Sequence, residues 1–220
     1  MVKTKKHRAY ENEYPSVTQI LDVLRKHGLE HWFKSNTLEF INKASAKGKS
    51  IGTATHEAIS HFILTGEAKI ETEWPDEVTN ALRSFMLFRK ENPELKIELS
   101  EEPLTSEVFK FNGTLDAPCP PILYDWKSCE KKDKAELPEY AEWRYQASAY
   151  VKLWNEHHPD NPISSACIVA IAKDTVAYKK IEINEQEIND CFNEVFLPAL
   201  KILTYQKGKH FYGKQTASNC

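Results

Sequence analysis

No stretch of this 220-residue chain approaches the roughly 18 uninterrupted apolar residues that a membrane helix needs, so a helical membrane span is excluded. The opening Met-Val-Lys-Thr-Lys-Lys-His-Arg is basic but leads into no apolar core, and it is short and poor in serine. Neither a secretory signal nor a transit peptide is expected, and a cytoplasmic location is. There is no tight cysteine pair: Cys119, Cys129, Cys167, Cys191 and Cys220 are scattered, without a C-x-x-C spacing, which argues against a zinc ribbon and for reduced thiols. Overall basicity is also missing, since 29 Lys and Arg face 32 Asp and Glu for a net charge of −3. Broad attraction to a polyanion is therefore not expected, although a local basic groove remains open.

Internal repeats, low-complexity tracts and Gly/Ser linkers are absent as well, as is any Gly-x-x-x-x-Gly-Lys-Ser/Thr phosphate loop. The remaining organisation is a basic tail over 1–13, a single domain over 14–206 and a tail over 207–220. Within the domain, 14–92 reads as helical and 93–206 as a sheet core with flanking helices. Basic residues gather in three places: Lys3, Lys5, Lys6 and Arg8; Lys43, Lys47 and Lys49; and Lys127, Lys131, Lys132 and Lys134. Each cluster, taken alone, fits a solvated face or tail.

Ser16 or Thr18 can cap a first helix carrying Val17, Ile20, Leu21 and Leu24, which Gly28 then ends. Further helices are expected over 30–44, over 52–64 with a stop at Gly66, and from Pro75 onward, where Val78, Leu82, Phe85 and Phe88 keep helical spacing. The period then shortens. Segments 97–104, 107–116 and 122–127 read as strands, and the run Ala-Pro-Cys-Pro-Pro reads as a connection, making the last two an antiparallel hairpin. A helix over 138–158, strands over 163–172 and 176–183, and a last helix capped by Asn184 complete the pattern, with Pro198 expected to kink or split that helix. The class is α/β.

Chemistry gathers around Phe111-Asn-Gly-Thr-Leu-Asp116 and Ile122-Leu-Tyr-Asp-Trp-Lys-Ser128. Residues two apart on a strand share a face, so Asp125 and Lys127 point together while Trp126 points into the core. Across the hairpin, Asp116 can reach the same side. Two carboxylates forced together repel unless a cation binds or one takes a proton. A hard divalent ion resolves the repulsion, and Mg2+ commonly combines one or two carboxylates with phosphate oxygens. A nearby ammonium suits phosphodiester hydrolysis. By itself Asp-x-Lys is usually explained by a surface ion pair.

The order Gly113-Thr-Leu-Asp116, Asp125-Trp-Lys127, Gln146-Ala-Ser-Ala-Tyr150, preceded by Gly52-Thr-Ala-Thr-His56-Glu57, resembles the RecB-type branch of the PD-(D/E)XK nucleases. Tyr14-Pro-Ser-Val-Thr-Gln-Ile20 and Asp125-Trp-Lys-Ser-Cys-Glu-Lys131 are most similar to its mitochondrial genome maintenance exonuclease-like group, which has viral, phage and bacterial members. The resemblance runs from about Tyr14 to Leu203. It implies a restriction-endonuclease-like core, a central mixed sheet flanked by helices, with the helical N-terminal portion over the active site. It implies catalysis by Asp116, Asp125 and Lys127, and metal binding by His56, Asp116, Asp125 and the main-chain carbonyl of Trp126. The ion would be Mg2+, with Mn2+ tolerated through the histidine nitrogen.

The same resemblance gives Gln146 and Tyr150, one turn apart on a helix, contacts to DNA or to the site. Burial with Trp154 explains Tyr150 equally well, and helix propensity explains Gln146. Glu102 fits an outer partner of the site or a plain surface carboxylate, and Gly113 a close backbone approach or a strand bend. Relatives with an iron–sulfur cluster carry one cysteine before these motifs and three closely spaced after them. Here none precedes Cys119, so no cluster is expected.

The implied activity is a metal-dependent DNA exonuclease of replication, recombination or repair, phage-borne or viral, preferring single strands and using aromatics such as Trp32, Trp143 and Tyr145 for stacking. A recombination or replication protein is a possible partner, and no membrane is. Two other readings stay open: a duplex exonuclease or structure-specific endonuclease of the same superfamily, and a catalytically silent nucleic-acid-binding protein.

Overall fold

The computed structural model describes residues 13–24, 32–131 and 135–215, with side chains described to 208. Helix α1 (Val17–Leu21) is started by a capping box: the Ser16 hydroxyl accepts from the Gln19 N–H, and the Gln19 side chain accepts from the Ser16 N–H. The Gly28 stop, most of the basic tail and Lys132 and Lys134 lie outside the described residues.

Two expected helices are one. Helix α2 runs unbroken from Leu38 to Thr65, opened by the Thr37 side chain accepting from the Phe40 N–H and closed by Gly66 at φ 76°. Gly48 and Gly52 lie inside it with no neighbouring atom within 4 Å of where a Cβ would stand. Each costs about 0.5–1 kcal/mol of helix propensity, and the rest of a 28-residue helix outweighs that. Helix α3 (Asp76–Glu91) follows Pro75 and buries Val78, Leu82, Phe85 and Phe88, the stripe its spacing announces.

Strand β1 (Glu102–Ser106) pairs antiparallel with β2 (Phe111–Leu115). Both are shorter than the sequence suggests. Residues 95–100 have no regular structure, and 107–110 form a turn in which Lys110 has φ 65°. The Glu156 carboxylate clamps this turn by accepting from the Ser106 hydroxyl and the Glu107 and Val108 N–H groups. The stretch 14–16 lies alongside β2, where Asn112 donates its backbone N–H to the Pro15 carbonyl and its side-chain amide to the Tyr14 carbonyl.

After Asp116 the chain enters β3 (Ala117–Cys119), which pairs antiparallel with β4 (Ile122–Cys129). Part of the segment read as a connection is thus a strand, and only Pro120 and Pro121 turn the hairpin. Pro118 is accommodated because β3 is an edge strand of the four-stranded sheet β3-β4-β5-β6, where one side of the backbone needs no ladder partner. Strand β5 (Ser165–Ala172) is parallel to β4, and β6 (Tyr178–Ile183) is antiparallel to β5, so the sheet is mixed. The parallel pair is joined by helix α4 (Ala141–His157), as a parallel connection requires.

Both faces of this sheet are covered, and β5 alternates between them. Cys167, Val169 and Ile171 join a core with Ala58 and Ile59 of α2, Leu82, Phe85 and Phe88 of α3, and Trp126. Ile168, Ala170 and Ala172 join the opposite core with α1, α4 and the C-terminal helices. Helix α5 (Glu185–Asp190) starts where the Asn184 side chain accepts from the Glu187 N–H. It passes through a π-helical turn (Cys191–Phe196) into α6 (Leu197–Gln215), which runs into the segment expected as a tail. Pro198 cannot donate to the carbonyl four residues before it, and the widened turn sits where that bond is lost.

Candidate active site

Asp116 occupies the junction between the two sheets. Its main-chain carbonyl accepts from the Glu101 N–H at 3.1 Å, and its carboxylate Oδ2 accepts from the Trp126 N–H at 2.8 Å. Trp126 itself turns the other way and packs against Phe85 and Phe88, with ring centroids 5.0 and 5.8 Å apart. Alternation then places Asp125 and Lys127 together, with Lys127 Nζ 2.6 Å from Asp125 Oδ2. Neither Asp125 oxygen makes an aligned hydrogen bond, although the residue is 1% exposed. A buried carboxylate with unfilled lone pairs is costly, and a cation ligand is one way to fill them.

From the opposite layer, α2 delivers His56, whose Nδ1 lies 3.3 Å from Asp116 Oδ1 and 3.1 Å from Glu101 Oε1. The donor atoms of His56, Glu101 and Asp116 all lie within 4.8 Å of one another. Asp125 and Asp116 form the floor, while the His56 and Glu101 side chains are 28% and 27% exposed, so the cluster opens to solvent on that side.

Electrostatics follow from this packing. Burial pushes the Asp125 carboxyl up, Lys127 pulls it down and Asp116 pushes it up again, leaving it at about 6. Burial acts on Asp116 the same way, but His56 and Lys127 outweigh it and hold the carboxyl below its ordinary value. Burial disfavours the His56 imidazolium, yet Asp116 and Glu101 prevail and raise it to about 10. Burial likewise opposes the Lys127 charge, and Asp125 and Asp116 again reverse it, raising its pKa. Without a bound ion the cluster therefore keeps protons on His56 and Lys127, which offset the charge of Asp116 and Asp125.

Glu101, not Glu102, is the carboxylate of this cluster. Glu102 lies one residue further on, in β1 opposite Leu115. Glu101 adopts φ 56°, a left-handed conformation uncommon for a residue with a side chain. No Gly or Asn marks that bend in the sequence, so no local signal places Glu101 beside Asp116. A Cβ on Gly113 would stand 2.9 Å from Tyr150 Cε1 and 2.9 Å from Leu153 Cδ2, so α4 approaches β2 closely there. Tyr150 is 6% exposed and its hydroxyl accepts from Gln146 Nε2 at 2.7 Å. Packing therefore accounts for Tyr150, and Gln146 is its partner. Trp143 is half-buried against Tyr140, and Tyr145 is half-buried too.

No family model and no curated protein matches the sequence. Solved structures do. A protein of Eubacterium rectale assigned as an exonuclease superposes with a TM-score of 0.52 at 13% identity, over 89% of this chain and 82% of that one. The alkaline exonuclease of Laribacter hongkongensis gives 0.50 at 12% identity, over 93% of each chain. The fold is shared with solved exonucleases. At such identities the likeness extends to architecture, a mixed sheet between helices, and the chemistry must be argued from the residues themselves. Among the described residues no helix is long and apolar enough to cross a membrane.

Proposed function

We propose that the protein is a metal-dependent DNA exonuclease of the RecB-type PD-(D/E)XK branch, preferring single strands and acting in replication, recombination or repair, in a phage or viral setting. The observation that carries this reading is the convergence of Asp116, Asp125 and Lys127 at the mouth of one hairpin, with His56 and Glu101 on its solvent side.

The donor set suits a divalent cation: two carboxylates and one imidazole, from Asp116, Glu101 and His56, with the buried carboxylate of Asp125 beside them. Asp116, Asp125, His56 and Glu101 would hold it, together with the Trp126 carbonyl, which lies on the same strand edge as the N–H that meets Asp116. Bound Mg2+ or Mn2+ would polarise a phosphoryl oxygen and acidify water.

The chain's own groups do the remaining work. Trp126 N–H fixes the Asp116 carboxylate, so one acid is set before any ligand arrives. Asp125 holds the Lys127 ammonium in place, and Lys127 can orient a water and meet the charge that develops on the phosphate. Glu101 orients the His56 ring through Nδ1. The core behind Trp126 keeps the hairpin rigid.

The test is digestion of end-labelled single- and double-stranded oligonucleotides with Mg2+, beside an EDTA control and an Asp125→Asn variant. Mg2+-dependent shortening of the single strand, lost in the variant, is expected. Equal cutting by the variant, or no cutting by the parent with either cation, would overturn the reading. Faster loss of the duplex, or opening of a covalently closed single-stranded circle, would reassign the substrate to a duplex exonuclease or an endonuclease.

A further inference from the structure

Helix α2 does more than carry His56. Its N-terminal half stands away from the core: residues 45–50 are all exposed, and of 38–44 only Ile41 and Ala44 are half-buried. Next to it the helical turn at 32–35 brings Trp32 to within 5.3 Å of Phe33 and 6.3 Å of Phe40, centroid to centroid. Phe33, Leu38 and Phe40 are 49%, 73% and 53% exposed. Single exposed apolar residues are ordinary, but a contiguous aromatic group kept in water asks for an occupant.

Charge identifies the occupant. Between 32 and 57 the chain carries Lys34, Lys43, Lys47 and Lys49 against the acids Glu39 and Glu57, in a protein whose net charge is −3. Lys47 is engaged by Glu77 at 2.7 Å. Aromatic faces interleaved with ammonium groups suit unpaired bases on a phosphate chain, whereas a duplex hides its base faces. Between the aromatic group and His56, the small side chains of Ala46, Ser50, Thr53 and Ala54, with Lys49 and Glu57, line an open recess of about 470 Å³.

We propose that this half of α2, with the 32–35 turn, is a remote track for single-stranded nucleic acid, where Trp32 and Phe40 stack bases and Lys43 and Lys49 meet phosphates. The proposal rests on the nuclease reading for its direction, and it adds a length rule. His56 lies sixteen residues beyond Phe40 on one helix, about 24 Å along the axis at ~1.5 Å per residue and about 160° round it, so a strand passing Phe40, Lys43, the recess and Lys49 winds about the helix on its way to His56. At ~3.4 Å per stacked nucleotide that is about seven nucleotides, fewer if the strand is stretched. A strand shorter than about four to seven nucleotides cannot occupy both the track and the site.

The test uses the full chain in EDTA, so that binding is read without cleavage. Fluorescein-labelled oligothymidylates of 4, 8 and 16 nucleotides and a 16-base-pair duplex are titrated by anisotropy against the parent, Trp32→Ala/Phe40→Ala and Lys43→Gln/Lys49→Gln. In the parent, affinity is expected to step up between the 4-mer and the 8-mer. The aromatic variant should remove that step and bind the 16-mer about tenfold or more weaker, the scale of losing a stacked base. The lysine variant should flatten the salt dependence of binding. Circular dichroism should show both variants folded, since every substituted side chain lies outside the buried cores.

Unchanged binding by the aromatic variant at all lengths would overturn the proposal. So would an equal loss on the duplex, or no binding by the parent at all. Cleavage of the 16-mer by the parent with Mg2+, run in parallel, judges the nuclease reading separately: cutting without an aromatic effect sinks only the track, and an aromatic effect without cutting sinks only the enzyme.

Discussion

The backbone N–H of Trp126 donates to Asp116 Oδ2 at 2.8 Å, which ties the acid at the sheet junction to the one residue that separates Asp125 from Lys127. The Trp126 ring lies in the core against Phe85 and Phe88, so the hydrophobic packing on one side of β4 fixes the polar geometry on the other. Two acids and an amine are thus positioned by a strand that cannot shift without disturbing the core.

Asp125→Asn is expected to lower cleavage by about 10³-fold or more, the scale on which removal of a transition-state contact acts. The fold should survive, because the amide relieves a carboxylate that burial already disfavours, and Lys127 still faces Asp116. Activity assays beside thermal unfolding check this. A folded variant that cuts as fast as the parent would refute the assignment of Asp125 to chemistry.

Neighbouring glutamates give a sharper contrast. Glu101→Gln should raise the Mg2+ or Mn2+ concentration needed for half-maximal activity by roughly 10–100-fold, since it removes a donor that also orients His56. Glu102→Gln, in β1 one residue on, should leave the metal requirement unchanged. Metal titrations of activity separate the two, and equal shifts would show that Glu101 has no special place.

What could be read in the sequence was whatever local periodicity controls. The α3 stripe, the Asn184 cap, the inward Trp126 and the shared face of Asp125 and Lys127 all follow from spacing along one element. What could not be read depended on chain reversals without sequence markers. Lys110 and Glu101 take left-handed conformations where glycine is the usual signal, so the β1–β2 register, and with it the partner of Asp116, stayed hidden. The break expected between 44 and 52 is absent, because Gly48 and Gly52 within a long helix only lower its stability and do not end it. Glu101 therefore emerges only from the fold, whereas Glu102 is suggested by its place on the strand before the hairpin.

Gly113→Ala tests the approach of α4 to β2. The added methyl meets the Tyr150 ring and Leu153 at 2.9 Å, and overpacking of this kind costs about 1–3 kcal/mol. For a chain of this size the melting temperature should fall by roughly 2–4 °C per kcal/mol. Tyr150→Phe, which deletes only the hydroxyl that Gln146 donates to, should cost about 1 kcal/mol and leave turnover nearly intact. Calorimetry with activity measurements decides. A large turnover loss in Tyr150→Phe would return that residue to the DNA-contacting role that its burial argues against.

The last expectation concerns pH. His56 is raised to about 10 by Asp116 and Glu101 against the opposing effect of burial, compared with an ordinary value near 6.5. Its protonation therefore stabilises the ion-free fold fully below about pH 6.5, and that contribution is lost as pH climbs through the window up to about 10. Asp125, raised to about 6 chiefly by burial, acts in the same sense at lower pH: its contribution is complete below its ordinary value near 3.8 and is lost as pH rises through about 6. A divalent ion competes with these same protons, so its binding should release them and tighten as pH rises. The thermal shift produced by Mn2+ is then expected to be small near pH 6 and to grow towards pH 9. His56→Asn should remove the alkaline part of both trends, the loss of ion-free stability and the growth of the shift. Thermal unfolding at stepped pH, with and without Mn2+, measures the two together. An ion-free stability that stays flat from pH 6.5 to 10 in the parent would show that His56 is not held as the imidazolium between Asp116 and Glu101.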